Sequence, residues 1–217
     1  MLISIKDLSA RYDRTDVFRN ISLDLSETET ILITGPNGCG KSTLLKAILG
    51  LVPHTEGSIL FKNKEISRCK TNSIVKMGIG YAPQHQGLFY GMTVLENLQL
   101  AADRNHGTIA FGNKLETILA EFPMLESLLT VNAGLLSGGE QKLGVLAACL
   151  LGDPKVLFLD EPLMGLSQQA AQIVLQKLER LSKGGVPMVV VEHKVTSIQD
   201  LCNRVFQMAS DHLLPIR

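Results

Sequence analysis

The chain has 217 residues, 45% of them hydrophobic, with 21 basic and 21 acidic side chains. A chain of this size and composition can bury a sizeable core, which excludes a disordered protein. The balanced charge lacks the basic excess of a dedicated nucleic-acid binder, so we expect no nucleic acid as a partner. Because its apolar runs are shorter than the ~20 residues that cross a bilayer, we expect no membrane-spanning helix.

The first residues alternate like a strand and show no secretory signal, which predicts a cytoplasmic protein. Its four cysteines, Cys39, Cys69, Cys149 and Cys202, are scattered and form no Cys-x-x-Cys pair. This spacing favours reduced thiols over a zinc site or a disulfide framework.

Two kinds of strand are predicted in an α/β fold. Residues 3–5, 21–25 and 57–61 are half-exposed in pattern, as antiparallel strands are. Other stretches are short and apolar throughout, as strands covered on both faces are: residues 30–34, 79–82, 156–159 and 188–191. The pattern predicts a mostly parallel core sheet with an antiparallel β subdomain.

From residue 93 to about residue 151 the apolar spacing becomes helical. We interpret residues 88–152, approximately, as a helical subdomain inserted into one domain of residues 1–217. Gly184 and Gly185 read as a helix stop and not as a domain linker.

The run from Gly35 to Ser42, GPNGCGKS, follows an apolar strand and opens a helical segment. In such a phosphate loop the backbone N–H groups cradle phosphate oxygens, Lys41 reaches the β- and γ-phosphates, and the Ser42 hydroxyl binds Mg²⁺. A chance match to the bare pattern is the alternative, but the strand and helix around it favour nucleotide binding.

Asp160 ends the apolar stretch 156–159, and Glu161 follows it. This is the expected place for a carboxylate linked to Mg²⁺ in phosphate-loop enzymes. Taken alone, such a pair is more often a solvated strand end. Together with the phosphate loop it indicates a hydrolytic site.

The run Leu136-Ser137-Gly138-Gly139-Glu140 precedes a helical segment and lies between the two halves of this site. Its backbone N–H groups would form a second anion-binding helix start, although a simple helix cap is the alternative. With the phosphate loop and Asp160 in this order, the chain resembles the ATP-binding cassette (ABC) family over nearly its whole length.

The resemblance implies a phosphate-loop NTPase cassette that hydrolyses ATP with Mg²⁺. It implies that Glu161 is the general base, that Gln84 contacts Mg²⁺ and the attacking water, and that His193 holds the γ-phosphate. It also implies that Tyr12 stacks on adenine. The implied nucleotide-binding residues are Tyr12, Gly35, Pro36, Asn37, Gly38, Cys39, Gly40, Lys41, Ser42, Thr43, Ser137, Gly138, Gly139 and Glu140, and the implied metal-binding residues are Ser42, Gln84 and Asp160.

Two positions depart from the family pattern. Ser167 stands where many members have an aspartate, which leaves the coupling assigned to that loop open. Residues 147–150, Ala-Ala-Cys-Leu, lack an arginine often found there.

One cassette without long arms is similar to transporter motors, and residues 84–98 are similar to those for branched-chain amino acid uptake and lipopolysaccharide export. This resemblance implies a head-to-tail dimer over two ATP molecules, either a homodimer or a heterodimer with a paralogue. It also implies integral-membrane permease subunits as partners and a peripheral location on the inner face of the cell membrane. A regulatory or scaffold cassette and a phosphate-loop kinase are the alternatives.

Leu88, Phe89, Tyr90 and Met92 are candidates for a surface that receives the permease. A buried stripe under the helical subdomain explains these apolar residues equally well.

Overall fold

The computed structural model describes residues 1–102, 108–193, 196, 198–209 and 212–217. The strands are β1 (Ile3–Tyr12), β2 (Thr15–Leu25), β3 (Thr30–Thr34), β4 (His54–Phe61), β5 (Lys64–Glu65), β6 (Ile79–Ala82), β7 (Val156–Asp160), β8 (Met188–Val191), β9 (Arg204–Met208) and β10 (Leu213–Pro215). The α-helices are α1 (Lys41–Ile48), α2 (Thr71–Lys76), α3 (Val94–Ala102), α4 (Thr108–Glu121), α5 (Gly138–Leu151) and α6 (Gln168–Lys183). Short 3₁₀ helices lie at Pro123–Leu128, Ala133–Leu135 and Gln199–Leu201.

The two predicted kinds of strand form two separate sheets. The first sheet is antiparallel, with the order β2-β1-β4-β5. The second has the order β10-β9-β3-β8-β7-β6, and all its pairings are parallel except that of β10 with β9. The mostly parallel core sheet and the antiparallel β subdomain are therefore both present.

Strands β3, β7 and β8 are buried at every position, which explains why they are mostly apolar, with Asp160 as the one charged residue among them. Successive side chains point to opposite faces. Ile31, Ile33 and Phe158 join a core shared with α1 and the antiparallel sheet, whereas Leu32 and Leu157 join a core shared with α3, α5 and α6. The phosphate-loop helix and the helices of residues 94–151 thus contact opposite faces of the same sheet.

Helix α5 is the central helix of the second core. It contacts α3, α4 and β6, and most of its side chains are buried. Among the residues that the structure describes, no helix combines the length and the apolar character needed to cross a bilayer.

Candidate functional site

The phosphate loop connects β3 to α1 and requires glycine at its first position. Gly35 has a φ of +147°, and a Cβ atom there would lie 2.4 Å from the main-chain oxygen of Met208. A larger residue would therefore collide with the backbone of β9. The strand, loop and helix follow one another as the sequence predicts, with Pro36, Asn37 and Gly38 exposed.

Lys41 is the first residue of α1 and its side chain folds back over the loop. Its Nζ atom donates hydrogen bonds to Gly35 O at 2.9 Å and to Pro36 O at 2.8 Å, and it lies 3.9 Å from Cys39 Sγ. Only 4% of Lys41 is exposed. The ammonium group of Lys41 is thus held within the phosphate loop. Ser42 and Thr43 follow Lys41 in the first turn of α1.

The carboxylate of Asp160 joins two elements of the site. Ser42 Oγ donates to Asp160 Oδ1 at 2.8 Å, and Tyr81 Oη donates to Asp160 Oδ2 at 3.3 Å. Burial raises the pKa of Asp160, and the two hydroxyl donors oppose this shift. Both carboxylate oxygens are therefore oriented by the protein itself.

The carboxylate of Glu161 lies between two side chains that the sequence analysis singled out. Gln84 Nε2 donates to Glu161 Oε2 at 2.6 Å, and His193 Nε2 lies 2.9 Å from Glu161 Oε1. Glu161 is 5% exposed. Three residues from positions 84, 161 and 193 of the chain are therefore brought into direct contact.

The main chain of Glu161 is strained. Its φ is +50°, in the left-handed region, where a residue other than glycine costs about 1–3 kcal/mol. Its N–H donates to Val191 O at 2.9 Å, and its carbonyl accepts from Met164 N at 3.2 Å. Such strain is typical of functional sites, where surrounding contacts hold it in place.

The segment from Ser137 to Glu140 forms the start of α5. Ser137 Oγ accepts a hydrogen bond from Glu140 N at 3.4 Å. In return Glu140 Oε2 accepts from Ser137 N at 2.8 Å and from Ser137 Oγ at 2.7 Å. This reciprocal capping box lowers the pKa of Glu140, because the Ser137 donors favour its ionised form. Ser137 and Gly138 are exposed, and Gly139 is half-buried.

Two positions that the sequence left in question have clear places. Tyr12 ends β1 with 40% of its surface exposed. Ser167 is the N-cap of α6, and its hydroxyl accepts from Ala170 N at 3.2 Å. Serine and aspartate are equally good N-caps, so this departure from the family pattern keeps the cap and omits the charge.

The stretch from Leu88 to Met92 divides between the two explanations given for it. Leu88 is buried against α5, whereas Phe89 is 62% exposed and Tyr90 is 45% exposed. Asn97 of α3 holds this turn, because its Oδ1 accepts from Phe89 N at 2.7 Å and its Nδ2 donates to Phe89 O at 3.1 Å. The core explanation applies to Leu88, and the two aromatic side chains are left on the surface.

Three residues of this region were missed by sequence reasoning. They are Tyr81, which donates to Asp160; Glu192, whose carboxylate accepts from Leu163 N at 2.9 Å; and Lys142, whose Nζ donates to Glu161 O at 2.5 Å. A signal existed for Lys142, since it is the only basic residue in the otherwise mostly apolar α5. The other two depend on strand register.

Comparisons with known proteins give one consistent result. The ABC transporter family matches residues 18–164. A probable branched-chain amino acid transport ATP-binding protein, LivF, of Archaeoglobus fulgidus is 31% identical over 97% of this chain and 89% of its own length. The lipopolysaccharide export system ATP-binding protein LptB of Escherichia coli K12 is 27% identical, over 98% of this chain and 88% of its own length.

Solved structures agree on the fold. A dimeric ATP-binding cassette in a post-hydrolysis state, bound to ADP and Pi, superposes with a TM-score of 0.90 at 23% identity, covering 100% of this chain and 99% of that one. A nucleotide-free cassette from an ABC transporter gives a TM-score of 0.83 at 24% identity, covering 98% of this chain and 89% of that chain. The predicted α/β cassette fold is confirmed.

The chain belongs to the ABC transporter family. It is an ATP-binding, ATP-hydrolysing subunit of that family, as the sequence predicted. The predicted kinds of partner, a second such subunit and membrane permeases, are confirmed at the level of the family.

Proposed function

We propose that this chain hydrolyses ATP with Glu161 as general base, and that this site powers a transporter as part of a head-to-tail dimer. The observation that carries the proposal is the contact of Glu161 with both Gln84 and His193 beside the Ser42–Asp160 pair. We further propose residues 1–217 as one cassette domain, with residues 88–152 as its helical subdomain.

The donor set fits Mg²⁺. Ser42 and Asp160 supply a hydroxyl and a carboxylate that already lie in contact, and Gln84 adds an amide oxygen nearby. Hard oxygen ligands of this kind are those that Mg²⁺ takes, together with phosphate oxygens of the nucleotide. Bound there, Mg²⁺ would neutralise charge on the β- and γ-phosphates.

The binding step uses the phosphate loop. N–H groups of residues 35–43 and the start of α1 surround the phosphates, and Lys41 Nζ exchanges loop carbonyls for phosphate oxygens. Tyr12 stacks on the adenine. In the dimer, Ser137 and Gly139 of each subunit contact the γ-phosphate held by the other, with Glu140 beside them.

Hydrolysis then needs a base beside a positioned water. Glu161 takes a proton from the water as its oxygen attacks the γ-phosphorus and ADP leaves. Each carboxylate oxygen has a second lone pair, so Glu161 can accept this proton while Gln84 and His193 hold its orientation. His193 also contacts the γ-phosphate.

The variant Glu161→Gln tests the base. We expect ATP binding to be kept while hydrolysis falls by about 10²-fold or more, the scale for loss of a general base. Gel filtration with Mg-ATP should show a trapped dimer. The matched control is Glu179→Gln, which changes an exposed glutamate on α6 that pairs only with Lys183 among the contacts described. Hydrolysis by Glu161→Gln at the parent rate would contradict the assignment.

The exposed ring of Phe89 supports a permease-binding surface in the part of the chain from 88 to 92. Asn97 fixes the turn by its hydrogen bonds to Phe89. The Phe89 ring is therefore exposed to solvent while Leu88 stays buried. A cytoplasmic helix of the permease would cover Phe89 and Tyr90. This contact would place the chain on the inner face of the membrane.

The variant Phe89→Asp tests this surface. A carboxylate would have to lose its water in an apolar contact, so we expect release from membranes that contain the permease, with ATP binding unchanged. Leu51→Asp is the control, since Leu51 is 48% exposed and follows α1. Fractionation of membranes measures the difference. Full membrane retention of a folded Phe89→Asp protein would remove the proposal.

A further inference from the structure

Lys142 is an unusual residue in its surroundings. It lies in the second turn of α5, whose next residues Leu143, Gly144 and Val145 are all buried. Lysine is seldom buried unless its ammonium group is paired, and Lys142 is half-buried. The ammonium must therefore find a partner inside the protein.

That partner is the main chain of the proposed base. Lys142 Nζ donates to Glu161 O at 2.5 Å. The left-handed conformation of Glu161 directs this carbonyl away from an ordinary strand path, and the only other hydrogen bond described for it comes from Met164 N at 3.2 Å. The hydrogen bond from Lys142 thus helps to hold the main chain of Glu161 in its strained conformation.

The charges around Lys142 strengthen the contact. Asp160, Glu161 and Glu192 are 2%, 5% and 5% exposed, and all three carboxylates attract the Lys142 ammonium. Burial lowers the pKa of Lys142, and the three carboxylates oppose this shift. Buried carboxylates need nearby positive charge or donors, because their ionised forms lose water. Lys142 therefore lies among the acidic groups of the site while touching the backbone of one of them.

The start of α5 also contacts the loop that follows Glu161. A Cβ atom at Gly139 would lie 3.5 Å from Gly165 O and 3.6 Å from the Leu166 side chain. The helix start that carries Ser137 and the loop that carries Glu161 therefore meet at two points, Gly139 and Lys142. A shift of one is transmitted to the other through contacts within the same subunit.

We propose that Lys142 is a positioning residue for ATP hydrolysis: its hydrogen bond to the carbonyl of Glu161 joins the Ser137 helix start to the base of the same subunit. When the helix start engages the nucleotide of the second subunit, Lys142 holds Glu161 in its reactive place. The inference rests on the proposed role of Glu161, and it adds a link between the two nucleotide sites of a dimer.

The test compares Lys142→Met, which keeps the stem and removes the donor, with Lys142→Arg, which keeps a donor. We expect kcat for ATP to fall about tenfold in Lys142→Met, with Kd for ATP within about twofold of the parent, because loss of an interaction made at the reaction step lowers kcat. Lys142→Arg should recover most of the rate. The control Lys183→Met changes an exposed lysine that pairs with Glu179 on α6 and should match the parent.

A double variant separates positioning from a general structural role. If Lys142 acts through Glu161, adding Lys142→Met to Glu161→Gln should lower the residual rate by less than about twofold, since coupled residues are not additive. A further tenfold loss in the double variant would overturn the proposal, as would a parent kcat in Lys142→Met. If Lys142→Met does not fold, Lys142→Leu, which also lacks a donor, takes its place in both comparisons.

The two proposals fail in different ways. A parent rate in Glu161→Gln contradicts the assignment of the base, and with it the link that Lys142 would make. An inactive Glu161→Gln together with a fully active Lys142→Met contradicts only the inference about Lys142.

Discussion

Two helix starts in this protein, those of α1 and α5, are both suited to anions but are prepared in opposite ways. Helix α1 begins after Gly40, which has a φ of 105° and no side chain to cap the first turn, and Lys41 brings a cation. Helix α5 begins after Ser137, where a capping box is complete and Glu140 brings an anion.

This difference bears on the order of binding. The first N–H groups of a helix attract negative charge, and at α1 no acidic side chain of the first turn competes for it. At α5 the carboxylate of Glu140 already occupies the donors of Ser137. We therefore expect phosphate to bind first at α1, while contact at α5 needs the geometry of the closed dimer.

The largest effect is expected at Cys39, in the phosphate loop just before the start of α1. Alkylation should label Cys39 first and block ATP binding by bulk, since its sulfur lies in the phosphate loop, 3.9 Å from Lys41 Nζ and beside the start of α1. Burial raises the pKa of Cys149 and of Cys202 to about 12, so these two thiols should react slowly.

Peptide mapping by mass spectrometry after partial labelling measures the order of reaction. Mg-ATP should protect Cys39, and Cys39→Ser should keep ATPase activity and resist inactivation. The half-buried Cys69 is the internal reference. The prediction is contradicted if Cys39 is labelled no faster than Cys69, or if ATP does not protect it. The loop would then be closed to the reagent, or Lys41 and the start of α1 would not raise the reactivity of Cys39.

A smaller effect is expected at α5. Glu140→Gln removes the competing charge and keeps a side chain that completes a capping box. We expect the ATP concentration for half-maximal dimer formation to fall about threefold, the scale of one charge at a helix start.

The matched control for this change is Glu96→Gln, because Thr93 and Glu96 make the same reciprocal contacts at the start of α3. Light scattering during an ATP titration measures both variants. If Glu140→Gln weakens the dimer, Glu140 does not compete with phosphate at α5 but assists its binding.

The smallest effect is expected at α6, which also begins with a capping serine. Ser167→Asp keeps the cap and adds a favourable charge in a first turn that has no acidic residue. We expect the Tm to rise by about 1–3 °C, measured by calorimetry. A clear fall in Tm would mean that the hydroxyl of Ser167 has a role beyond capping.

Much of the candidate site could be predicted because its parts are local. Residues 35–43 and 136–140 need glycine and small polar residues at fixed spacing, whether or not their partners are known. Asp160 and Glu161 were found for a similar reason, since a buried strand ends there. The roles of these residues in hydrolysis stay predictions.

The stretch from Leu88 to Met92 shows where prediction from local sequence is weaker. From sequence alone, Leu88 and Phe89 were equally apolar and could not be separated. The structure separates them because Asn97 holds the turn between them, and Leu88 then packs on Gly144, whose added Cβ would lie 3.0 Å from it. Hydrogen bonds between Asn97 of helix α3 and this turn decide which side chain is buried.

The sequence by itself determined the class of protein, the two kinds of strand, and the motifs predicted to bind phosphate, since each depends on short-range spacing and backbone conformation. Only the tertiary structure decided that Tyr81 reaches Asp160 and that Lys142 reaches Glu161. Those contacts depend on the parallel pairing of β6 with β7 and on where α5 crosses the sheet. Register and packing join residues far apart in the chain, and no local pattern records them.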